Sequence, residues 1–358
     1  MASSHPAAPD LMTAAFLRQA KACEDLGSPF TALVCTLFSQ RHLSEGAVRT
    51  RLENWPGDPS ADGDAVPLRL AGALHALVLS GRAPFLAANY PGHQPTPDSD
   101  GLWQAIDHAQ QDHGNFILQR LNLPPQTNEV RRAAVLLPGF LSLAHRYQRP
   151  LQLYEVGASA GLNLFWDSYG YDLGGTRWGP DNPPLFLTPD WQGPPPPRAE
   201  ITVAGRAGCD LAPLDPGDMS DQLRLLSYIW ADQQDRVART LAALEVAAAS
   251  DIRVTKADAL VWLESQLANR PEGRLSVVYH SIAWQYLPPA AQARGAAIIA
   301  RAGQASGQDS PLAWLRLEGD GQQPGAALLL DCWSAGVKQE ETRLLARADY
   351  HGRWIHWI

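Results

Sequence analysis

One segment limits the fold of this chain more than any other. Leu151-Gln152-Leu153-Tyr154-Glu155-Val156 is a short apolar run typical of a buried strand, and Gly157-Ala158-Ser159-Ala160-Gly161 follows at once as a tight turn. Leu162 to Tyr169 then reads as a helix. Strand and helix patterns alternate further on: strand Ile252 to Thr255, helix Ala259 to Leu267, strand Leu275 to Tyr279, helix Pro289 to Ala302 and strand Leu312 to Leu317. Such alternation implies a parallel sheet with crossover helices, hence an α/β, Rossmann-like domain. Ala326 to Leu330, Arg343 to Ala348 and Trp354 to Trp357 are strand-like with no helix between them, so an antiparallel addition is expected at one edge.

Before residue 150 no segment alternates convincingly. Phe16, Ala20 and Cys23 share one helical face, Leu33, Leu37 and Phe38 another, and Leu70, Leu74, Leu77 and Val78 a third. Gly27-Ser28-Pro29, the stretch Pro56 to Pro67 and the stretch Pro91 to Pro97 break these helices, and residues 1 to 10 are expected to fray. Helices are expected over Leu102 to Leu121 and from Asn128 to Leu137, the second ending before Pro138-Gly139. The organisation expected is therefore a helical domain over 1–150 and a sheet domain over 151–358. Between Gly174 and Pro197, twelve of twenty-four residues are Gly or Pro, which largely excludes regular structure there. Ile201 to Val203 is a candidate short strand. Asp218 and Asp221 offer a cap and a first-turn acid for one long helix through Leu223, Trp230, Val237 and Leu244.

Composition narrows the function classes. With 358 residues, 45% of them apolar, the chain has material for a large core. No run approaches the ~20 apolar residues of a membrane span, and the first sixteen residues lack a signal-peptide pattern, so a cytoplasmic location is expected. Cys23, Cys35, Cys209 and Cys332 are scattered, which suggests reduced thiols and no zinc site, and no His/Cys/carboxylate spacing points to another metal. The net charge of -8 with only three lysines argues against nucleic acid as a partner. A small-molecule substrate and no membrane partner are expected, and the oligomeric state is left open.

Three chemistries compete for the glycine turn. A dinucleotide fingerprint needs glycines where the chain has Gly157, Ser159 and Leu162, and a P-loop needs a Gly-Lys-Ser/Thr triplet; neither is met. A nucleophile elbow is matched by Gly157-x-Ser159-x-Gly161, with Asp331 and His351 in the right order downstream for a serine hydrolase. Against it, a hydrolase fold places several strands before its elbow. The third pattern is acid-x-G-x-G-x-G on a first strand, the nucleotide loop of class I methyltransferases that use S-adenosylmethionine. Glu155, Gly157 and Gly161 match, while Ser159 replaces the middle glycine; Asn163, just past the turn, is a further candidate cofactor contact. This reading makes the sheet domain methyltransferase-type and S-adenosylmethionine the expected cofactor. The plain alternative is a structural turn in a domain that binds nothing.

The run Leu153 to Leu164, the segment Val278-Tyr279-His280-Ser281 with Tyr286-Leu287-Pro288, and the ending Ala346-Arg347-Ala348-Asp349-Tyr350-His351-Gly352-Arg353-Trp354 resemble the bacterial domain of unknown function 2332 family. The resemblance covers nearly the whole chain. It implies a helical N-terminal part on a methyltransferase-like core and supplies no reaction or substrate.

Other candidates follow from position. An acid at the end of the second strand would meet ribose hydroxyls, and Asp172 and Asp210 compete for that place, with Asp210 taken into the site; each has a turn or cap role as its plain alternative. Asp258 would end the third strand near an adenine, or else cap helix Ala259 to Leu267. His280 and Ser281 end an apolar strand and so should open on the crevice, with His280 as candidate base and a loop-fixing hydrogen bond as its alternative. Trp284 and Tyr286 could line an apolar pocket or simply pack. The fourth strand lacks an N-P-P-Y acceptor motif, having His280-Ser281-Ile282-Ala283, which also permits a non-catalytic nucleotide-binding or protein-binding module.

Overall fold

The computed structural model describes residues 10–92 and 98–358. It divides the chain into two compact units, the first comprising residues up to Thr127 with Met219–Ala238, the second Asn128–Asp218 with Arg239–Ile358. No helix among the described residues is long and apolar enough to cross a membrane.

The first unit is helical: α1 (Leu11–Asp25), α2 (Pro29–Gln40), α3 (Ala47–Glu53), α4 (Val66–Leu79), α5 (Pro84–Ala87) and α6 (Ser99–Leu121). The stripes read from the sequence meet in one core, in which Phe16, Val34, Leu70, Leu74, Leu77, Leu102 and Ile106 are buried. Residues far along the chain complete it. The carboxylate of Asp232 accepts from Ser28 Oγ at 2.6 Å and from Phe30 N at 2.9 Å, and so caps the start of α2. Gly72 leaves room for the Tyr228 ring, which a Cβ would meet at 2.7 Å, and the Tyr228 hydroxyl donates to Leu123 O at 3.1 Å. The single long helix expected after Asp218 is accordingly two, α8 (Met219–Ser227) and α9 (Gln234–Ala248), turned so that Tyr228, Ala231 and Asp232 can dock.

The second unit begins with α7 (Arg132–Tyr147), which runs through Pro138-Gly139 instead of stopping before them. Pro138 gives up one backbone donor, but burial of every residue from Ala133 to Leu141 outweighs that loss. Its strands are β1 (Leu151–Val156), β2 (Gly170–Leu173), β3 (Thr176–Trp178), β4 (Phe186–Leu187), β5 (Asp190–Gln192), β6 (Val203–Asp210), β7 (Thr255–Lys256), β8 (Leu275–Ser281), β9 (Leu312–Glu318), β10 (Ala326–Ser334), β11 (Val337–Lys338), β12 (Arg343–Ala348) and β13 (Trp354–Trp357), with helices α10 (Ala259–Ala268) and α11 (Pro289–Gln304) between. The main sheet has the order β5-β13-β12-β10-β9-β8-β1-β6-β7, and β11 adds to β10. Pairing is parallel from β7 through β9, antiparallel through β10, β12 and β13, and parallel again at β5. The unit is thus a mixed α/β fold with a mostly parallel sheet and the antiparallel ending expected.

Side chains on β1 alternate faces. Tyr154 and Val156 join Trp262, Leu263, Ile298 and Ile299 of α10 and α11. The opposite face meets α7, where Phe140 stacks on Trp166 at 4.4 Å and meets Tyr279 edge-on at 5.3 Å. This packing is why α7, expected with the helical part ahead of residue 150, belongs with the sheet. The Gly/Pro-rich stretch is also more regular than expected: β2, β3 and β4 form a small sheet, and β5 pairs with the last strand. After the turn the chain is a 3-10 stretch, Leu162–Ser168, not an α-helix, and the expected strands at 201–203 and 252–255 are realised as the longer β6 and the two-residue β7.

Gly139 of α7 sits against β9, where a Cβ would lie 2.7 Å from Leu315 Cδ1. Gly139→Val should therefore lower unfolding stability by roughly 1–3 kcal/mol through overpacking, read by urea titration. An unchanged midpoint would show that α7 is not held on the sheet at this point.

Candidate functional site

Strand β1 hands over to β6 on one side and is flanked by β8 on the other, so the order of strands reverses between β1 and β8. In open parallel sheets, ligands bind beyond the carboxyl ends of the strands at such a reversal. The glycine turn lies there, between β1 and the 3-10 stretch.

The turn alternates into left-handed backbone at Gly157 (φ 70°), Ser159 (φ 53°) and Gly161 (φ 75°). Ser159 thus holds a left-handed conformation, at a cost that glycine would not incur. Gly157 and Gly161 are needed for packing as well: a Cβ would meet Ala283 Cβ at 2.6 Å and Val254 Cγ2 at 2.9 Å respectively. Four of the five backbone N–H groups of the turn donate inside the protein. Gly157 N and Ala158 N donate to Cys209 O at 2.9 and 3.0 Å, and Gly161 N to Ala158 O. Ser159 N donates to Asp210 Oδ2 at 2.9 Å, and Leu162 N to Asn128 Oδ1 at 3.0 Å. A phosphate cradle needs free N–H groups, so this turn is poorly built for a phosphate.

What surrounds the turn is rich in acceptors. Glu155, 2% exposed, is the penultimate residue of β1 and lies on the face that meets Tyr279. Burial pushes its carboxyl up to about 8; the Tyr279 hydroxyl bond and Arg132 pull the other way, while Asp210 adds to the rise. The Tyr279 hydroxyl lies 3.3 Å from Glu155 Oε2 and 3.2 Å from Asn163 O. Asn163 is buried, and its Nδ2 donates to Glu129 O. Asp210, at the end of β6, accepts from Ser159 N with one oxygen and from Ala212 N with the other, and each oxygen keeps a second lone pair. Asp172, its competitor in the sequence, instead accepts from Gly175 N at 2.7 Å in the small sheet. Asp258 is an N-cap, accepting from Leu260 N and Val261 N at 2.9 and 3.1 Å.

The end of β8 differs from expectation. His280 does not open on a crevice; it is fully buried and stacks on Trp284 at 4.8 Å. The indole Nε1 of Trp314 donates to its Nε2 at 3.0 Å. An indole N–H can only donate, so Nε2 carries no proton and Nδ1–H points to Glu318 Oε1, 2.6 Å away. Both ring nitrogens are engaged, which fits a loop-fixing residue and leaves neither nitrogen for an acceptor's proton. Ser281 is also buried, and its carbonyl receives the Arg132 guanidinium at 3.0 Å.

The centre of this loop is a residue that the sequence reading passed over. Glu318, ending β9, accepts from Ala283 N and Trp284 N at 3.0 Å each, and from Gln285 N at 3.4 Å. Burial would raise its carboxyl, but the His280 bond and these amides outweigh it and hold Glu318 below the usual range. An acid directly after the apolar run Leu312 to Leu317 was the available signal, the same kind that flagged Glu155. Asn128 and Arg132 carried no such signal, because only folding brings the start of α7 to the turn.

The residues of a serine triad are committed elsewhere. Asp331 binds Arg316 at 2.5 Å, Lys338 at 2.5 Å and Thr342 at 2.7 Å, whereas His351 Nδ1 faces Asp349 at 3.9 Å. Among the described residues no group of three His, Cys, Asp or Glu side chains could hold a metal ion.

Residues 13–357, nearly the full chain, match the family described as uncharacterized protein conserved in bacteria (DUF2332). The chain belongs to this family. No curated protein and no solved structure matches it. The DUF2332 match therefore spans both units, α8 and its docking residues included, and the inserted segment is part of the family's chain.

The buried Glu155 gives a pH test. Folded, it keeps its proton up to about 8, whereas the unfolded chain loses it near 4.5, so stability falls as pH rises between these values. The total loss is on the order of 5 kcal/mol. Glu155→Gln should remove this slope, so that the variant gains on the wild type from pH 5 to 8.5 in urea unfolding. A gap between the two proteins that does not change with pH would refute the assignment. Glu318→Ala leaves three backbone amides and the buried His280 without their acceptor, and should cost about 2–4 kcal/mol in the same assay.

Proposed function

We propose that this DUF2332 protein binds S-adenosylmethionine at the carboxyl ends of β1 and β6 and passes its methyl group to a small acceptor. The observation that carries the reading is the donor-poor, acceptor-rich chemistry around the turn: Glu155, Asn163 and Asp210 lie where four of the turn's five backbone N–H groups are already used. Such a site favours a ligand that brings positive charge and hydroxyls and disfavours a pyrophosphate. When bound, the cofactor would supply a methyl group on a sulfonium, electrophilic enough to need positioning more than acid–base help. Asp210 keeps lone pairs for a ribose diol. The closeness of Gly157 to Ala283 holds the β8 loop beside the turn, and Glu318 with His280 fixes that loop's shape. An acceptor that is already nucleophilic suits a site in which His280 is sealed away. A charge of -8 with three lysines supports a small acceptor in place of a nucleic acid.

The sealed His280 also favours a second reading, a module that binds the nucleoside without turnover. Calorimetry decides the shared step. S-adenosylmethionine and S-adenosylhomocysteine should both bind the wild type, and Asp210→Asn should weaken both about tenfold by spoiling the diol contact. No binding of either at millimolar concentration would reject both readings. Binding with no methyl transfer to any member of a panel of thiol, amine and carboxylate acceptors would leave the second.

A further inference from the structure

The helical unit gathers cations that its own acids do not neutralise, although the chain has 37 Asp and Glu against 29 Lys and Arg. Arg82, just beyond α4, and Arg120, near the end of α6, approach the Phe116 ring to 4.9 and 5.0 Å, so their guanidinium carbons lie within about 10 Å of each other. Arg224 of α8 acts on Arg120 more strongly than Arg82 does. Burial lowers Arg120 from the usual arginine range, Tyr228 opposes this, and the charges of Arg224 and Arg82 lower it further.

The donors of these arginines are largely unused. Part-buried Arg120 carries five N–H groups and meets one acceptor among the described residues, Ser227 Oγ at 3.4 Å. Ser227 spends its own proton on Arg224 O at 2.8 Å, which holds α8 beside Arg120. Arg224 Nε is closed off from solvent and has no acceptor among the described residues. None of the three pairs with a carboxylate there. Arg69, which with Arg224 and Arg120 acts on Tyr228, shows the contrast: it donates to Asp64 O and Leu121 O and pairs with the Asp64 carboxylate at 3.5 Å. Cations often collect at carbonyls that end a helix, but here Leu121 O is taken by Arg69 and Leu123 O by Tyr228. Stacking on Phe116 uses the flat faces of Arg82 and Arg120 and leaves their N–H edges. A partly buried charge without a counter-ion is costly and calls for one. Arg82 and Phe116 also line a cleft of about 500 Å³ with His113, Asn115 and Gln119. Asp112 on its wall faces His108 at 3.2 Å.

We infer that Arg82, Arg120 and Arg224 form a site for a phosphate dianion, free or carried as a monoester on a small molecule that extends into the cleft. A carboxylate offers one charge and two oxygens, which a single guanidinium satisfies; three guanidiniums match the two charges and three terminal oxygens of a phosphate. The site lies within the helical unit and does not depend on the cofactor reading of the sheet unit.

Calorimetry on the full-length protein, at pH 8 and constant ionic strength in chloride, tests it with inorganic phosphate, phenyl phosphate and acetate. The wild type should bind phosphate at least about tenfold more tightly than acetate. Arg120→Gln and Arg224→Gln should each weaken phosphate about tenfold, and Arg82→Gln, at an exposed position, about threefold. Arg41→Gln, which removes the same charge from an arginine of this unit already paired with Asp100, should leave phosphate affinity within about twofold. Phenyl phosphate bound more tightly than inorganic phosphate supports the site and assigns it to monoesters; phenyl phosphate bound no more tightly supports it and assigns it to the free anion. No phosphate bound at millimolar concentration overturns the site, and so does acetate bound as well as phosphate. Equal phosphate affinity in the wild type and in the Arg82, Arg120 and Arg224 variants overturns it too, since the phosphate is then an adventitious ion only. An equal loss in Arg41→Gln overturns it because net charge then suffices. If Arg120→Gln or Arg224→Gln does not fold, Arg82→Gln and the comparison of phosphate with acetate still decide.

Discussion

Strand β1 is paired in parallel on both edges, with β6 and with β8, and packed on both faces, and most of the site follows from that constraint. A strand enclosed on four sides must leave the sheet within a few residues, past the ends of its neighbours. The chain does so by entering left-handed backbone three times in five residues, at Gly157, Ser159 and Gly161. The same crowding makes the turn donate three of its N–H groups, those of Gly157, Ala158 and Ser159, to Cys209 O and Asp210, the end of the neighbouring strand. The site is acceptor-rich because β6 lies so close.

A second carboxylate does comparable work on the other side. Glu318 gathers the imidazole of His280 and three successive amides of the β8 loop, an arrangement that an anion favours and a neutral side chain could not replace. The loop so held places Ala283 against Gly157, joining the two strand ends across the reversal point. His280 takes part as a structural donor. Its position at a strand end suggested a base, but position along a strand does not tell which face a side chain takes or what waits there: Trp314 and Trp284 enclose it on the α10 and α11 side.

The helical unit is built by a detour in the chain. Residues 219–238 leave the sheet unit and supply Tyr228, Ala231 and Asp232 to a helical core whose other members precede residue 128. The reason lies in matched shapes and charges, a glycine for a ring and a carboxylate for a helix start. Neither partner is marked in its own local sequence. The long-helix pattern from Leu223 to Leu244 was real in its periodicity, but the Tyr228 and Asp232 contacts reward a break more than propensity rewards continuity.

The sequence by itself determined the elements whose signal is local. Apolar runs bounded by glycine, proline and acids placed β1, β8, β9 and the antiparallel ending, and the turn motif located the candidate site at Glu155, Gly157, Ser159 and Gly161. Asp210 and Asp258 were found as acids at strand ends, though of the two only Asp210 touches the turn. Tertiary structure decided everything that depends on a partner distant in the chain: the place of α7 on the sheet, the sealing of His280 and the role of Glu318. Hydrophobic periodicity is written within a few residues, whereas the protonation of Glu155 or the use of a backbone amide depends on atoms that only folding brings within 3 to 4 Å.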